Sequence, residues 1–354
     1  MSSTPKMQYG WFNPFENLTD TNSSHERFPV RLGESGLKVS KIILGCMSYG
    51  HPEWSGNWVL PEEEASKHIK AAYGYGINTF DTANAYSNGL SEEILGRAIK
   101  THKLPRDEIV VMTKVFVAVS PDYKAVLSDV ANYDRDGYVN QYGLSRKHIF
   151  DSVKHSLRRL DLEYIDLLQC HRFDPNTPIA ETGSIQMQAL HDVVKAGYVR
   201  YIGMSSCYAY QFHAMQNYAI TNGLTPFISM QNHYSLLYRE EEREMMPTLQ
   251  HFGVGSIPWS PLARGALSRP LAQQQTTARG GSDVVEQIAK KRGISMAQVS
   301  IAWVLNNKAV SAPVVGTTSL ANLADIVGAV HIKLTEEEVK LLEEPYQPMA
   351  VFGH

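Results

Sequence analysis

The chain has 354 residues, with 33 Lys plus Arg against 36 Asp plus Glu and a formal net charge of −3. Hydrophobic residues make up 43% and charged ones 19%, which excludes a disordered chain, and the charge balance lacks the footprint of a nucleic-acid binder. No run approaches the roughly 18 to 20 apolar residues that a membrane span needs.

Residues 1–28 have no apolar stretch and read as a polar extension, not a secretion signal, so a cytoplasmic protein is expected. PVRLGESGLKVSKIILG then gives two short alternating segments around a turn and a compact apolar strand ending at Gly45. The segment 61–76 opens on Pro61 and acidic residues and stops at glycines, as a helix should. INTFDT is a strand, 90–102 a helix with Ser91 as its expected N-cap, and EIVVMTKV a strand.

The same alternation runs on through helix 144–160, strand 164–171, helix 185–197 and strand 199–206. Helix 209–223, strand 226–232, helix 241–253 and strand 254–260 follow. Helices 282–293 and 295–307, a last strand at 311–316, and helices 319–330 and 335–345 complete it. Counted from KIILG there are eight strands, each followed by a helix. Short apolar strands mark a parallel sheet covered on both faces, so a (β/α)8 TIM barrel fits better than an open sheet. With the hairpin before it and extra helices near the end, 29–354 reads as a single barrel behind the 1–28 extension. No GxGxxG follows the first strand; GYGIN at 74–78 lacks the third glycine.

Two connections exceed what a barrel needs: Phe116 to Leu144, rich in tyrosines (Tyr123, Tyr133, Tyr138, Tyr142), and Leu262 to Gly281. Both follow strand C-terminal ends, where barrel enzymes place their chemistry. Cys46, Cys170 and Cys207 form no disulfide framework and suit a reducing compartment. Two of them adjoin candidate site residues, which leaves a redox role open. There is no HExxH and no histidine pair at ligand spacing, so a metal is not expected.

The informative feature is what stands where strands finish. INTFD ends in Asp81, with Tyr86 five residues on; VVMTK ends in Lys114; DLLQCH ends in His171. Successive strand ends converge on one mouth. A tyrosine near pKa ~10 is a weak acid, which a neighbouring ammonium is expected to strengthen while a carboxylate keeps that ammonium charged. Asp81–Lys114–Tyr86 then forms a tuned proton donor, with His171 polarising a carbonyl that receives hydride from a nicotinamide.

DTANAY, the TK of the third strand, LLQCHRFD, VRYIGMSS, SMQNHY and PWSPLARG together resemble the aldo-keto reductases, over about residues 29 to 346. GCMSYG, NGLSE, GLSRKHI and SIAWVL make the likeness greatest to the fungal aryl-alcohol-dehydrogenase-like branch. The resemblance implies a tetrad of Asp81, Tyr86, Lys114 and His171. It also implies Ser205 and Gln231 on the nicotinamide carboxamide, with Ser206 beside them where the family usually has asparagine, and Trp259 stacked on the ring.

Ser260, Leu262, Arg264 and Gly265 would clasp the pyrophosphate. Gly316, Thr317, Thr318, Ser319, Asn322 and Asp325 fall on the segment that meets the adenine end. Asn322 stands where many NADPH-specific members carry arginine, and Gly316–Asp325 holds no Lys or Arg. NADP(H) is the family default, with Arg269 or Arg279 able to supply the charge; NAD(H) stays open.

Met47, Tyr49, Trp54 and Trp58 of the first loop are expected to line a pocket for a flat aldehyde or ketone, and the C-terminal residues to border it. The implied activity is carbonyl reduction and alcohol oxidation on aromatic or bulky small molecules, as in secondary metabolism or detoxification. A nucleotide-sensing subunit like the channel β-subunits of this fold is the alternative; an intact tetrad weighs against it.

Overall fold

The computed structural model describes residues 28–56, 58–127, 130–179, 186–270 and 281–354. The extension up to residue 27 and residues 271–280, with Arg279, lie outside the described residues.

A hairpin comes first: β1 (Pro29–Arg31) pairs antiparallel with β2 (Lys38–Ser40). Eight parallel strands follow: β3 (Ile43–Gly45), β4 (Thr79–Asp81), β5 (Val110–Val115), β6 (Ile165–Cys170), β7 (Val199–Ser205), β8 (Phe227–Gln231), β9 (Gly255–Ser256) and β10 (Val314–Val315). They pair in the order β10-β3-β4-β5-β6-β7-β8-β9. Parallel bridges Ser256↔Val310 and Trp259↔Val314 join the two ends, with Val314 N–H donating to the Pro258 carbonyl at 2.8 Å. The sheet is thereby curled into the expected barrel.

Helices α1 (Glu62–Gly74), α2 (Leu90–Thr101), α3 (Arg146–Leu160), α4 (Gln186–Lys195), α5 (Ala209–Thr221) and α6 (Met245–His251) alternate with the strands. α7 (Gly281–Arg292), α8 (Met296–Asn306), α9 (Leu320–Val327) and α10 (Glu336–Glu343) complete the set. None of the described helices is long and apolar enough to cross a membrane.

Two local expectations fail. Ser91 does not cap α2: Gly89, at φ 93°, holds that position, and the buried Ser91 hydroxyl donates to the Cys46 carbonyl at 2.8 Å. The loop before α2 enters in the left-handed region, which a glycine adopts without strain. The helix expected over 241–253 is divided into a 3-10 turn at Glu240–Glu242 and α6. Pro247 sits in the first turn of α6, where its missing N–H costs no bond.

Period-two alternation sorts side chains between two cores. On β5, Val110 and Met112 join an inner cluster with Ile43, Leu167, Ile257 and Val314, while Val111 and Val115 pack outward against the helices. Leu32 and Val39 of the hairpin enter that inner cluster and plug the barrel's base. Gly33, at φ 58°, permits it: a Cβ there would lie 2.4 Å from the Gly253 carbonyl oxygen.

Candidate active site

The inward rows of the strands carry the polar residues at their C-terminal ends. Lys114 continues the row Val110–Met112, and Gln169 and His171 continue the row of Leu167. Asp81, at the end of β4, completes the group.

The Lys114 ammonium, 1% exposed, spends its three donors on Asp81 Oδ2 at 2.6 Å, the Thr82 carbonyl at 2.9 Å and the Tyr86 hydroxyl oxygen at 3.2 Å. Tyr86 accepts, so its own proton is left to donate elsewhere. Asp81 Oδ1 accepts from the side-chain amides of Gln169 (2.8 Å) and Gln231 (3.0 Å), and Gln231 donates again to Gln169 Oε1 at 3.0 Å. Gln169 was not singled out from the sequence. The signal was there, in a polar residue on the inward row of an apolar strand.

The rings of Tyr86 and His171 meet edge-on at 5.9 Å. Burial lowers the His171 pKa well below its ordinary value, with Lys114 and Arg172 adding to the effect, so the imidazole is neutral at neutral pH. Its Nδ1 is buried without a partner among the described residues. Lys114 was expected to leave Tyr86 a stronger acid. It does pull the hydroxyl pKa down, but burial pushes harder, and the net shift is upward. The site therefore holds a tyrosine that stays protonated through neutral pH, beside an ammonium that Asp81 and Tyr86 keep charged against burial.

Around this centre lie the other candidates. Ser205 Oγ donates to the Gln231 carbonyl at 2.7 Å. Ser206, at φ 40°, donates its N–H to Asn232 Oδ1 (3.0 Å) and accepts the Trp259 indole N–H on Oγ (3.1 Å). Trp259 lies parallel to His233 at 4.4 Å, so one indole face is taken.

Ser260, Ala263, Arg264 and Gly265 all have positive φ. The Ala263 and Gly265 N–H groups close turns on the Ser260 and Leu262 carbonyls at 2.9 Å each, which bends the backbone sharply at this corner. The Arg269 guanidinium lies close by, since a Cβ on Gly265 would meet it at 3.6 Å. Further round, Thr317 Oγ accepts the Ser319 N–H, and Ser319 caps α9 by accepting the N–H of Asn322. Gly316, Thr318 and Asn322 are exposed. Asp325 instead accepts the Ser295 hydroxyl at 2.5 Å, tying α9 to the start of α8. A bent rim carrying guanidinium and hydroxyl donors, next to an oriented indole, fits a dinucleotide.

The first loop divides. Trp54 leans on Tyr86 at 6.5 Å, and Met47 and Trp58 are exposed. Tyr49, expected on the pocket wall, is fully buried with its ring edge-on to His68 of α1, so it belongs to the core. In the insertion after β5, the Tyr133 ring meets Tyr138 and Tyr142 edge-on, packing the loop on itself. Asn88 binds that loop to the Tyr86 turn. Its amide donates to the carbonyls of Asp122 (2.9 Å) and Ala125 (2.7 Å) and accepts the Ser120 N–H (3.0 Å). At the C-terminal end, Phe352 approaches Trp259 and sits under the Arg264 guanidinium at 5.4 Å, so the last residues border the mouth.

The cysteines are all buried. Burial raises the thiols of Cys46 and Cys207 far above their ordinary value and that of Cys170 to about 12. No reactive thiolate forms near neutral pH, which removes the redox role.

A parallel barrel with ionisable side chains gathered at the C-terminal strand ends has the layout of a barrel enzyme. The chain belongs to the aldo/keto reductase family, whose model matches residues 41–347. It is thus an enzyme of an oxidoreductase family acting at C=O and CH–OH centres with nicotinamide cofactors, generally NADPH.

It is 48% identical to versiconal hemiacetal acetate reductase of Aspergillus parasiticus, over 91% of this chain and 98% of that one. A Schizosaccharomyces pombe protein bearing an aryl-alcohol dehydrogenase name is also 48% identical, over 91% and 96%. The aldo-keto reductase AFTS1 of Alternaria alternata is 44% identical, over 97% and 98%.

Proposed function

We propose that the protein is an NADP(H)-dependent carbonyl reductase and alcohol dehydrogenase for aromatic or bulky aldehydes and ketones, with Tyr86 as the proton donor. The observation that carries this reading is the Lys114 ammonium shared between Asp81 and the Tyr86 hydroxyl. A bound reduced nicotinamide supplies the hydride.

The chain's own residues do the rest. Neutral His171 donates a hydrogen bond to the carbonyl oxygen and holds it against Tyr86. Tyr86 releases its proton to that oxygen as negative charge develops, and Lys114, held charged by Asp81, stabilises the tyrosinate left behind. The raised Tyr86 pKa keeps the donor loaded at neutral pH and sends the reverse oxidation to alkaline pH. Trp259, oriented by Ser206, offers the face turned away from His233 to the nicotinamide, with Ser205 and Gln231 at the carboxamide. Both Gln231 side-chain N–H bonds are spent on Asp81 and Gln169, so its Oε1 is the atom that accepts from the ligand.

The turn of Ser260, Leu262, Arg264 and Gly265 holds the pyrophosphate, and Gly316–Asn322 the adenine end. Arg269, with the hydroxyls of Thr318 and Ser319, supports the 2′-phosphate assignment. NAD(H) remains the competitor, and KM compared for the two cofactors decides. Trp54, Met47 and Trp58 form the substrate wall.

Tyr86→Phe is expected to lower kcat by about 10²–10⁴-fold, the range for one general acid, while cofactor binding, read by indole fluorescence quenching, survives. Turnover near the wild-type rate would sink the assignment. A wild-type protein that binds cofactor but turns over no aldehyde would favour the nucleotide-sensing reading.

A further inference from the structure

Among the described residues, Arg172 is a cation at the mouth that the proposed reaction does not use. It stands immediately after His171, and its Nη1 donates to the His171 carbonyl at 2.5 Å. That bond holds the guanidinium at the end of β6 against the His171 main chain, and its charge acts on the Tyr86 hydroxyl and on the imidazoles of His171 and His354.

The side chain is half-buried, and among the described residues no carboxylate pairs with it. The described acids around it are engaged elsewhere. Asp174, two residues on, accepts from the Leu144 N–H (2.7 Å), the Asn176 N–H (3.0 Å) and the Thr177 hydroxyl (2.7 Å). Glu241 takes the Asn232 amide and lies 3.4 Å from His354. Asp81 is saturated by Lys114, Gln169 and Gln231.

A partly desolvated cation that no carboxylate among the described residues balances is costly, and burial lowers the Arg172 pKa. Such a group is retained where a ligand brings the missing charge. Arginine has five N–H donors in a fixed fork that matches a carboxylate; among the described residues only one bond, to a main-chain carbonyl, is made.

We propose that Arg172 is a specificity-determining residue, selecting carbonyl substrates that carry an ionised oxygen, a carboxylate or an acidic phenol, close to the reacting carbonyl. The inference rests on the carbonyl-reductase reading and names its preferred substrate class. No new chemistry is added: the anion anchors the substrate while Tyr86 protonates the carbonyl oxygen.

The test uses the full chain with 3- and 4-carboxybenzaldehyde against their methyl esters, which keep shape and lose the charge. Wild-type kcat/KM is expected to favour an acid over its ester by about tenfold, the scale of a hydrogen bond to a charged group. Arg172→Gln is expected to bring that ratio near unity, mainly through KM of the acid, and Arg172→Lys to restore part of it.

A wild-type ratio near unity overturns the proposal, as does a preference that survives in Arg172→Gln. So does an equal fall for acid and ester, which would mean that the guanidinium serves Tyr86 or the fold. Indole quenching by cofactor verifies that each variant is folded, and the wild-type and lysine ratios decide if the glutamine variant is not. Failure to reduce either aldehyde type strikes the carbonyl-reductase reading itself; reduction of both alike strikes only Arg172.

Discussion

Gln169 reaches Tyr86 only through other residues, which makes it a positioning residue, not a catalytic one. Its amide orients the Asp81 carboxylate, Asp81 anchors Lys114, and Lys114 bonds the Tyr86 hydroxyl. Replacing it by leucine keeps the volume, removes a hydrogen bond to a charged group and strands a Gln231 N–H. The expected cost is about 1.5–3 kcal/mol of stability, together with a fall in kcat at nearly unchanged KM. Thermal unfolding and steady-state kinetics of Gln169→Leu check both; a variant with wild-type melting and kcat would make the bond idle.

At this scale the sequence was uneven. Asp81, Lys114 and His171 were legible because each ends an apolar run, and the barrel's geometry makes such ends converge. Gln169 sits inside its run, and its partners come from β4 and β8, beyond any local pattern. Tyr49 departs from expectation for a related reason: loop aromatics look alike in sequence whether they face a pocket or α1.

Among the elements, α2 and α3 pack so closely that no side chain fits between them at Gly96. A Cβ there would stand 2.2 Å from the Leu160 carbonyl oxygen, a backbone atom that cannot swing aside. Gly96→Ala is therefore expected to destabilise despite alanine's better helix propensity, by about 1–3 kcal/mol as overpacking usually does. A melting temperature equal to or above wild type would show that the helices separate freely. The helix itself was readable from its amphipathic pattern, whereas its left-handed entry at Gly89 was not, since Ser91 offered a plausible cap nearby. The two-residue strands β9 and β10 were also overestimated in length, because apolar composition does not report where ladder bonding stops.

Across the whole molecule, buried histidines set the response to acid. His233, sandwiched between Trp259 and Tyr238, has both ring nitrogens buried without partners among the described residues, and its pKa falls to about 4. The unfolded chain, near 6.5, binds the proton more readily, so stability rises with pH across this interval. The contribution is complete above pH 6.5 and is lost as pH falls through 4; its ceiling is about 3 kcal/mol.

Glu241 works in the opposite sense. Burial raises its pKa to about 7, so the stability from its protonated form is complete below 4.5 and lost as pH rises through 7. His233→Phe keeps the aromatic stack and removes one titration. It is expected to unfold at a higher temperature than wild type at pH 4 to 5 and to gain much less at pH 8. Melting curves that shift in parallel at every pH would refute this origin of the acid sensitivity.

The bonds of Asn88 carry a consequence for how such a protein can change over generations. With the Ser87 hydroxyl, which donates to the Tyr123 carbonyl at 3.1 Å, its side chain joins the loop after β5 to the turn that presents Tyr86. An insertion drifting toward a new ligand pulls on the same amide that fixes the tyrosine. Grafting that loop from one relative to another is therefore not a local edit: the donor loop must bring carbonyls to the Asn88 amide and an N–H to its oxygen. Lineages that alter this rim are expected to do so in steps that preserve those three bonds, which narrows the paths open to them.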